Sequence, residues 1–288
     1  MNGIIVLDKP EGKTSHDMVN FVRRIAGTRR VGHTGTLDPM ATGVLPVCIG
    51  SATKAADMLT LSDKRYRAQF KLGIATDTED ISGEITERHD VNVSREDIVS
   101  AVNSFCGEIE QIPPMYSAIK QNGKKLYELA RNGIETERPA RRIKIYSIAI
   151  EDIDMENFLV TIDVHCSKGT YIRTLCADIG KKLKTGACMT ALRRTATGRF
   201  TLENAVEPEE LCGGSLEEML LPVDDIFEDC PKIFLNEKQK RSIVNGVRMT
   251  WRTGTEGQSY RLYDENGVFL CVSKCEEGRL RLEKSFWS

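Results

Sequence analysis

The chain is expected to fold as an α+β protein with a mixed, mainly antiparallel sheet and a small β-rich domain at its C-terminal end. Three observations support this. Strand-like and helix-like segments are mixed without the regular alternation that builds a parallel βαβ sheet. At 288 residues the chain is long for one small domain and suits a large domain, 1–230, followed by a small one, 231–288. Between them the acidic stretch 203–229, with Gly213-Gly214, reads as a linker region and natural boundary.

Residues 3–8 read as a strand. Ser15 is placed as the N-cap of a helix over 16–26, with Val19, Val22, Ile25 and Ala26 on one face and Gly27 as its stop. The apolar run 43–49 is a buried strand, and Ser51 is placed to cap a helix reaching Leu61. From Lys64 to Leu72, Tyr66, Ala68, Phe70 and Leu72 alternate with Arg65, Arg67, Gln69 and Lys71, as in a half-buried strand. Ser94-Arg95-Glu96-Asp97 is a capping-box-like start for a helix to Phe105. Residues 107–141 differ. Pro113 and Pro114 remove donors and fix φ, so their surroundings cannot be helix interior. With a short helix near 124–132, this region is expected to project from the core as an insertion. Strands at 142–153 and 158–166, a helix from Thr170 to Leu183, and strands at 187–194 and 198–202 follow. The last domain reads as a helix at 236–245 and strands near 247–252, 259–263, 267–274 and 279–284, with Asp264-Glu265-Asn266-Gly267 as a hairpin turn.

Apolar residues make up 40% of the chain and charged residues 28%, which is ordinary for a globular protein. The longest apolar runs are far too short to cross a bilayer, and the N-terminus lacks the basic region and cleavage site of a signal peptide. A cytoplasmic location without a membrane partner is therefore expected. Nine cysteines, without a C-x-x-C pair, point to buried free thiols rather than disulfides or a zinc ribbon. Four scattered histidines form no H-E-x-x-H, and neither a metal nor another cofactor is expected.

The formal net charge of −2 argues against a nucleic-acid partner until its distribution is considered. Ten acidic residues and no Lys or Arg lie between Glu203 and Asp229, so the rest of the chain carries eight excess positive charges. They gather in five clusters: around Arg23–Arg30, Lys64–Arg67, Arg138–Lys144, Lys181–Lys184 and Arg193–Arg199. One such cluster is ordinarily a solvated face. Five of them suit a partner with a phosphate backbone.

The stretch Gly32-His33-Thr34-Gly35-Thr36-Leu37-Asp38-Pro39-Met40-Ala41-Thr42-Gly43 makes a tight loop feeding the strand at 43–49. Pro39 restricts Asp38 to extended geometry. A bare Asp-Pro is ordinarily a turn initiator whose carboxylate caps its own backbone. A carboxylate on a rigid loop above a sheet is also well placed to act on a substrate. A phosphate-cradling loop fails on spacing, because the G-x-x-x-x-G-K-[ST] pattern and its lysine are missing.

This stretch resembles the core motif of the bacterial tRNA pseudouridine-55 synthases, the TruB family. Further motifs follow in family order. They are Lys9-Pro10-x-Gly12-x-Thr14-Ser15, Lys64-x-Tyr66 with Leu72-Gly73, and Thr76-Asp77-Thr78-x-Asp80. Gln111-Ile112-Pro113-Pro114-Met115-Tyr116-Ser117-Ala118 and Gly123-Lys124-Lys125-Leu126-Tyr127 come next. The set ends with Cys166 to Leu175, then Leu192-Arg193-Arg194-Thr195 with Gly198-Arg199-Phe200. The resemblance implies a pseudouridine synthase fold and isomerisation of one T-loop uridine in tRNA to pseudouridine, with no cofactor. It implies Asp38 as the nucleophile. Attack on ribose C1′, attack on the base, and a glycal route all stay open. Arg173 aligns with the arginine that pairs with that aspartate, and Tyr171 with the tyrosine proposed to take the C5 proton. Tyr66 aligns with the residue that stacks on the flipped base, His33 with one that fills vacated space, and Leu192 with an apolar wall of the uracil pocket. Lys9, Asp77 and Lys120 are weaker candidates for RNA or loop contacts. On the same resemblance, 107–141 clamps RNA and 231–288 is a PUA-like module that contacts the acceptor arm. No obligatory protein partner is expected. Two other readings are a guide-RNA-dependent synthase of the archaeal and eukaryotic kind and an RNA chaperone acting without chemistry.

Overall fold

The computed structural model describes residues 1–121 and 123–287. β1 (Gly3–Lys9) is buried on both faces, Ile5 and Leu7 on one and Ile4 and Val6 on the other. The helix α1 (Ser15–Ala26) is capped by Thr14 rather than by Ser15 as expected. Asp17 stands three residues past Thr14, and this spacing closes a capping box: Thr14 Oγ1 accepts from Asp17 N (3.0 Å) and Asp17 accepts from Thr14 N (2.8 Å). Gly27 ends the helix at φ 61°. Next come β2 (Val31–His33) and β3 (Thr42–Ile49). The expected Ser51-capped helix is instead a 3-10 turn over Gly50–Ala55 followed by the short α2 (Ala56–Thr60). Ser51 gives its N–H to Asn2 Oδ1 (2.7 Å), and no side chain caps either piece.

β4 (Lys64–Leu72) has the alternation read from the sequence. The ribbon of β5 (Ile74–Thr76) and β6 (Ile85–Arg88) lies beyond that reading. α3 (Arg95–Asn103) starts at Ser94 as expected. β7 (Gly107–Gln111) corrects the insertion boundary, because it pairs along its length with β10 as the sheet edge. Only 112–140 leave the sheet, carrying β8 (Lys120–Gln121), β9 (Lys124–Lys125) and α4 (Leu126–Arg131). β10 (Arg141–Asp154), β11 (Leu159–Cys166), α5 (Ile172–Leu183), β12 (Ala187–Thr197) and β13 (Phe200–Thr201) complete the main body.

The main sheet runs β1-β3-β12-β4-β11-β10-β7, with β2 on β3 and β13 on β12. Among the described residues its one parallel junction is β3–β12, where Arg193 pairs with Thr42 and Arg194 with Gly43. The core lies between this sheet and α1, α3 and α5. The acidic segment is folded onto the body and is no free linker. Its α6 (Pro208–Gly213) and α7 (Leu216–Met219) bury Leu211 and Leu216 in the main core, while Val206 and Leu221 bridge to β1. Most of its carboxylates point outward because its apolar residues take the inner face, while Asp224 accepts from Tyr263 Oη (2.6 Å).

The remaining strands are β14 (Lys232–Phe234), β15 (Met249–Thr250), β16 (Ser259–Tyr263), β17 (Phe269–Glu276) and β18 (Arg279–Ser285), with α8 (Glu237–Val244) after the first. They form a second sheet, β14-β16-β17-β18-β15, around a core of its own. Phe227, Val272 and Phe286 pack on Ala55, and Lys284 reaches Asp57 at 2.8 Å, so this sheet docks on the turn after β3. All nine cysteines are free, but Cys106 and Cys212 are exposed, against the expectation of burial. No helix among the described residues is long and apolar enough to cross a membrane.

Phe70 is fully buried at the centre of β4, flanked by Val160 and Met189. Phe70→Ala is expected to lower stability by about 3–5 kcal/mol in denaturant unfolding, because a large cavity opens where three strands meet.

Candidate active site

The segment 34–41 between β2 and β3 is a loop tied down at almost every residue. Thr34 N–H donates to Pro46 O (3.1 Å), and Gly35 N–H to His33 Nδ1 (3.3 Å). Leu37 N–H donates to Ser15 Oγ (2.8 Å), whose hydroxyl also reaches Leu37 O (3.2 Å). With Thr14 serving as the cap, Ser15 is left to hold this loop. Gly12 N–H donates to Pro39 O (2.8 Å), and Ala41 N–H closes the turn onto Asp38 O (3.0 Å). Leu37 and Ala41 are buried, so the loop is anchored by packing as well. Where β3 begins, Gly43 (φ 102°) passes so close to β12 that a Cβ there would stand 2.2 Å from Arg194 O; only glycine fits.

The loop presents Asp38 to a cleft of about 950 Å³, within the size range of ligand pockets. Asp38 Oδ2 lies 3.1 Å from Arg173 Nε, and Arg173 Nη1 lies 3.3 Å from Asp80 Oδ2. Arg173, in the first turn of α5, is only 7% exposed and is also held by Thr78 O (3.1 Å) and Tyr116 O (2.7 Å). Asp80 accepts from Thr78 Oγ1 (2.9 Å), Ser82 N (3.0 Å) and the Ser82 hydroxyl. Thr174 binds Glu79 beside it (2.5 Å). Burial in the cleft pushes the Asp38 carboxyl above its ordinary value, and Arg173 opposes that push. Asp80 lies near enough to reinforce it.

Tyr66, Tyr171 and Leu192 line the same cleft. Tyr66 lies on β4 across from Val164 and Arg194, buried in the core and facing the cavity. Leu192, on β12, is placed likewise. Tyr171 is the residue before α5, and Gln111 clips its backbone from both sides, accepting from its N–H (2.8 Å) and donating to its C=O (3.0 Å). Burial pushes the Tyr171 phenol upward, so it stands protonated at neutral pH.

The other sequence candidates lie outside the cleft lining. Lys9 is fully buried, and its ammonium donates to Pro10 O, Lys13 O and Pro39 O (2.8, 2.6 and 3.3 Å). Burial brings its pKa down to about 8. His33 accepts from Gly35 N–H. Burial, and then the nearby Arg194, hold it below its ordinary pKa, so the ring is neutral. Asp77 accepts from Glu84 N (2.8 Å) and Tyr116 Oη (3.5 Å) in the turn below the cleft. Lys120 is exposed on the projecting β8. Sequence reasoning passed over Asp80, Gln111 and Arg194 as site residues. All three stand inside motifs of the family resemblance, and Arg194 also looks like one more member of a basic cluster.

The cleft can bind a planar group against Tyr66 and Leu192 and bring it to a carboxylate kept beside a cation. Residues 23–172 match the family model described as TruB family pseudouridylate synthase (N terminal domain), and residues 173–228 match tRNA pseudouridylate synthase B C-terminal domain. The chain is 49% identical over 291 residues to a tRNA pseudouridine synthase B of Clostridium perfringens, covering 99% of this chain and 98% of that protein. It is 51% identical over 250 residues to a tRNA pseudouridine synthase B of Alkaliphilus oremlandii, covering 86% of this chain and 83% of that protein. Among solved structures, a crystal structure of a Cbf5-Nop10-Gar1 complex superposes with a TM-score of 0.74 at 26% identity, covering 99% of this chain and 85% of that chain.

Carboxyl-labelled NMR is expected to find Asp38 titrating above an ordinary aspartate. Arg173→Met should move the titration further up, since the neutralised side chain no longer favours the ionised form. An unchanged or lower value in the variant would contradict the pairing.

Proposed function

Because the chain belongs to the TruB family of pseudouridine synthases, we propose that the tRNA uridine it isomerises is position 55 of the T-loop, with Asp38 as nucleophile. The pairing of Asp38 with a buried arginine at the floor of the cleft carries this reading. The C1′–N1 bond breaks, the uracil turns, and a C1′–C5 bond forms. The C5 proton leaves and N1 gains one, so the reaction balances without an oxidant or reductant. A carboxylate that attacks must be ionised in a place that excludes water. Arg173 favours that form against burial.

The target base is extruded from its loop and takes up stacking on Tyr66, worth about 1–3 kcal/mol per base, with Leu192 as the apolar wall. Tyr171 is the group that removes the C5 proton. Its phenol stands protonated, so it must pass its own proton on as it accepts, and Asp38, released from the sugar or base, is a carboxylate in the same cleft able to take it. His33, Lys9 and Asp77 act through the loop and turn they hold. Residues 112–140 clamp the RNA, with Lys120 and Lys124 exposed and Tyr127 and Arg131 lining the cleft. Residues 231–288 serve as the PUA-like module for the acceptor arm. The stand-alone reading is favoured over a guide-dependent one by the 49% identity to a tRNA pseudouridine synthase B across nearly the whole chain.

Asp38→Asn should bind a T-arm stem-loop within about threefold of wild type while forming no pseudouridine by mass mapping, since it removes the nucleophile but little volume. Product formed by this variant at an appreciable rate would remove Asp38 from its role. Tyr66→Leu should lower the single-turnover rate more than it weakens binding; equal losses with a collapsed Tm would instead assign Tyr66 to the core.

A further inference from the structure

Arg194 is the bulkiest fully buried side chain among the described residues, at 1% exposure. Its guanidinium meets no carboxylate within ion-pair distance among those residues, whereas Arg173, facing the same cleft, has two. An interior cation without a counter-charge is costly, so its retention calls for a reason. Backbone dipoles compensate it in part: Nε donates to Val44 O (2.7 Å) and Nη2 to Gly35 O (3.3 Å). Those two carbonyls bracket the loop carrying Asp38, one at its start and one just after β3 has begun. The backbone of Arg194 pairs with Gly43 on one side and with Tyr66 on the other. One residue thus touches both ends of the Asp38 loop and the strand that carries Tyr66.

We propose that Arg194 is a positioning residue whose guanidinium closes the 35–44 loop into a ring and sets where the Asp38 carboxylate stands relative to Tyr66. The inference rests on the reading of Asp38 as nucleophile for its consequence, though not for its geometry. A lysine keeps the charge but carries its donors on one atom, so it lacks the planar fork whose Nε and Nη2 meet Val44 O and Gly35 O separately. The predicted effect is therefore on loop order and on kcat, with substrate affinity spared.

The test uses the full-length protein with Arg194→Lys, and Arg194→Met as a second variant. Hydrogen exchange is followed for peptides spanning 34–44 and, as an internal reference, 64–72. In Arg194→Lys the loop amides should exchange about tenfold faster while those of β4 keep their protection. The single-turnover rate of pseudouridine formation should fall about 100-fold, the scale of a small misplacement of a reacting group, with T-arm binding within about threefold. If Arg194→Met does not fold, the lysine variant, which keeps the charge and most of the volume, decides alone. Unchanged loop exchange, a full rate in a loosened loop, or rate and binding falling together would each overturn the inference. A wild-type protein that leaves T-arm uridine unmodified would refute the proposed function instead, and the exchange data would still judge the role of Arg194.

Discussion

The guanidinium of Arg173 sits between two carboxylates and two backbone carbonyls, which come from three separate parts of the chain. Asp38 arrives on the loop before β3, Thr78 and Asp80 on the turn after β5, and Tyr116 on the excursion beyond β7. With five donors in a rigid fork, arginine is the side chain able to serve so many acceptors at once. The arrangement gathers segments that no single strand or helix would bring together. It also divides the positive charge. Asp80 takes part of what would otherwise act on Asp38, whose carboxyl stays above its ordinary value because burial outweighs the help of the arginine.

Around that junction the fold acts as a mould for the loop. The sheet places Tyr66 and Leu192 as diagonal neighbours on adjacent strands, and α5 delivers Tyr171 and Arg173 two residues apart at its start. Gln111 links the edge of the sheet to the backbone of Tyr171, so the base of the 112–140 excursion and the start of α5 share one amide. Over β1 and β3 the opposite face carries a second apolar core, and over β4, β11 and β10 it is left to water and covered by ion pairs, Arg65 with Asp163 and Arg67 with Glu151. At such exposure these pairs contribute little stability each and mainly keep an open face soluble.

Much of this was legible in the residues. The period-2 pattern of 64–72 places Tyr66 on the buried face, and the glycines and prolines of 32–46 announce a rigid loop. Other features were hidden for identifiable reasons. Thr14 and Ser15 are both good caps, and only the spacing to Asp17, read against the loop that needs a hydroxyl, separates them. The strand at 107–111 contains three polar or charged residues in five, since an edge strand has little apolar surface to hide, so nothing in its pattern distinguished it from the insertion it precedes. Arg194 follows an exposed-type neighbour in a basic run, and burial of an arginine leaves no mark in the composition. The acidic stretch misled because its charges hide the spacing of Leu211, Leu216 and Leu221, which face inward.

The parallel junction of β3 and β12 has a bearing on biosynthesis. Thr42 and Gly43 wait for Arg193 and Arg194, partners separated by half the chain. Until that stretch has left the ribosome, the Asp38 loop lacks the strand that supports it. Long-range closure of this kind is slow relative to local structure and comes late. A nascent or truncated polypeptide therefore carries an acid on a loose loop and no cleft around it. The walls of the cleft are completed only late in synthesis, when β12 joins a sheet whose first strands were made half a chain earlier.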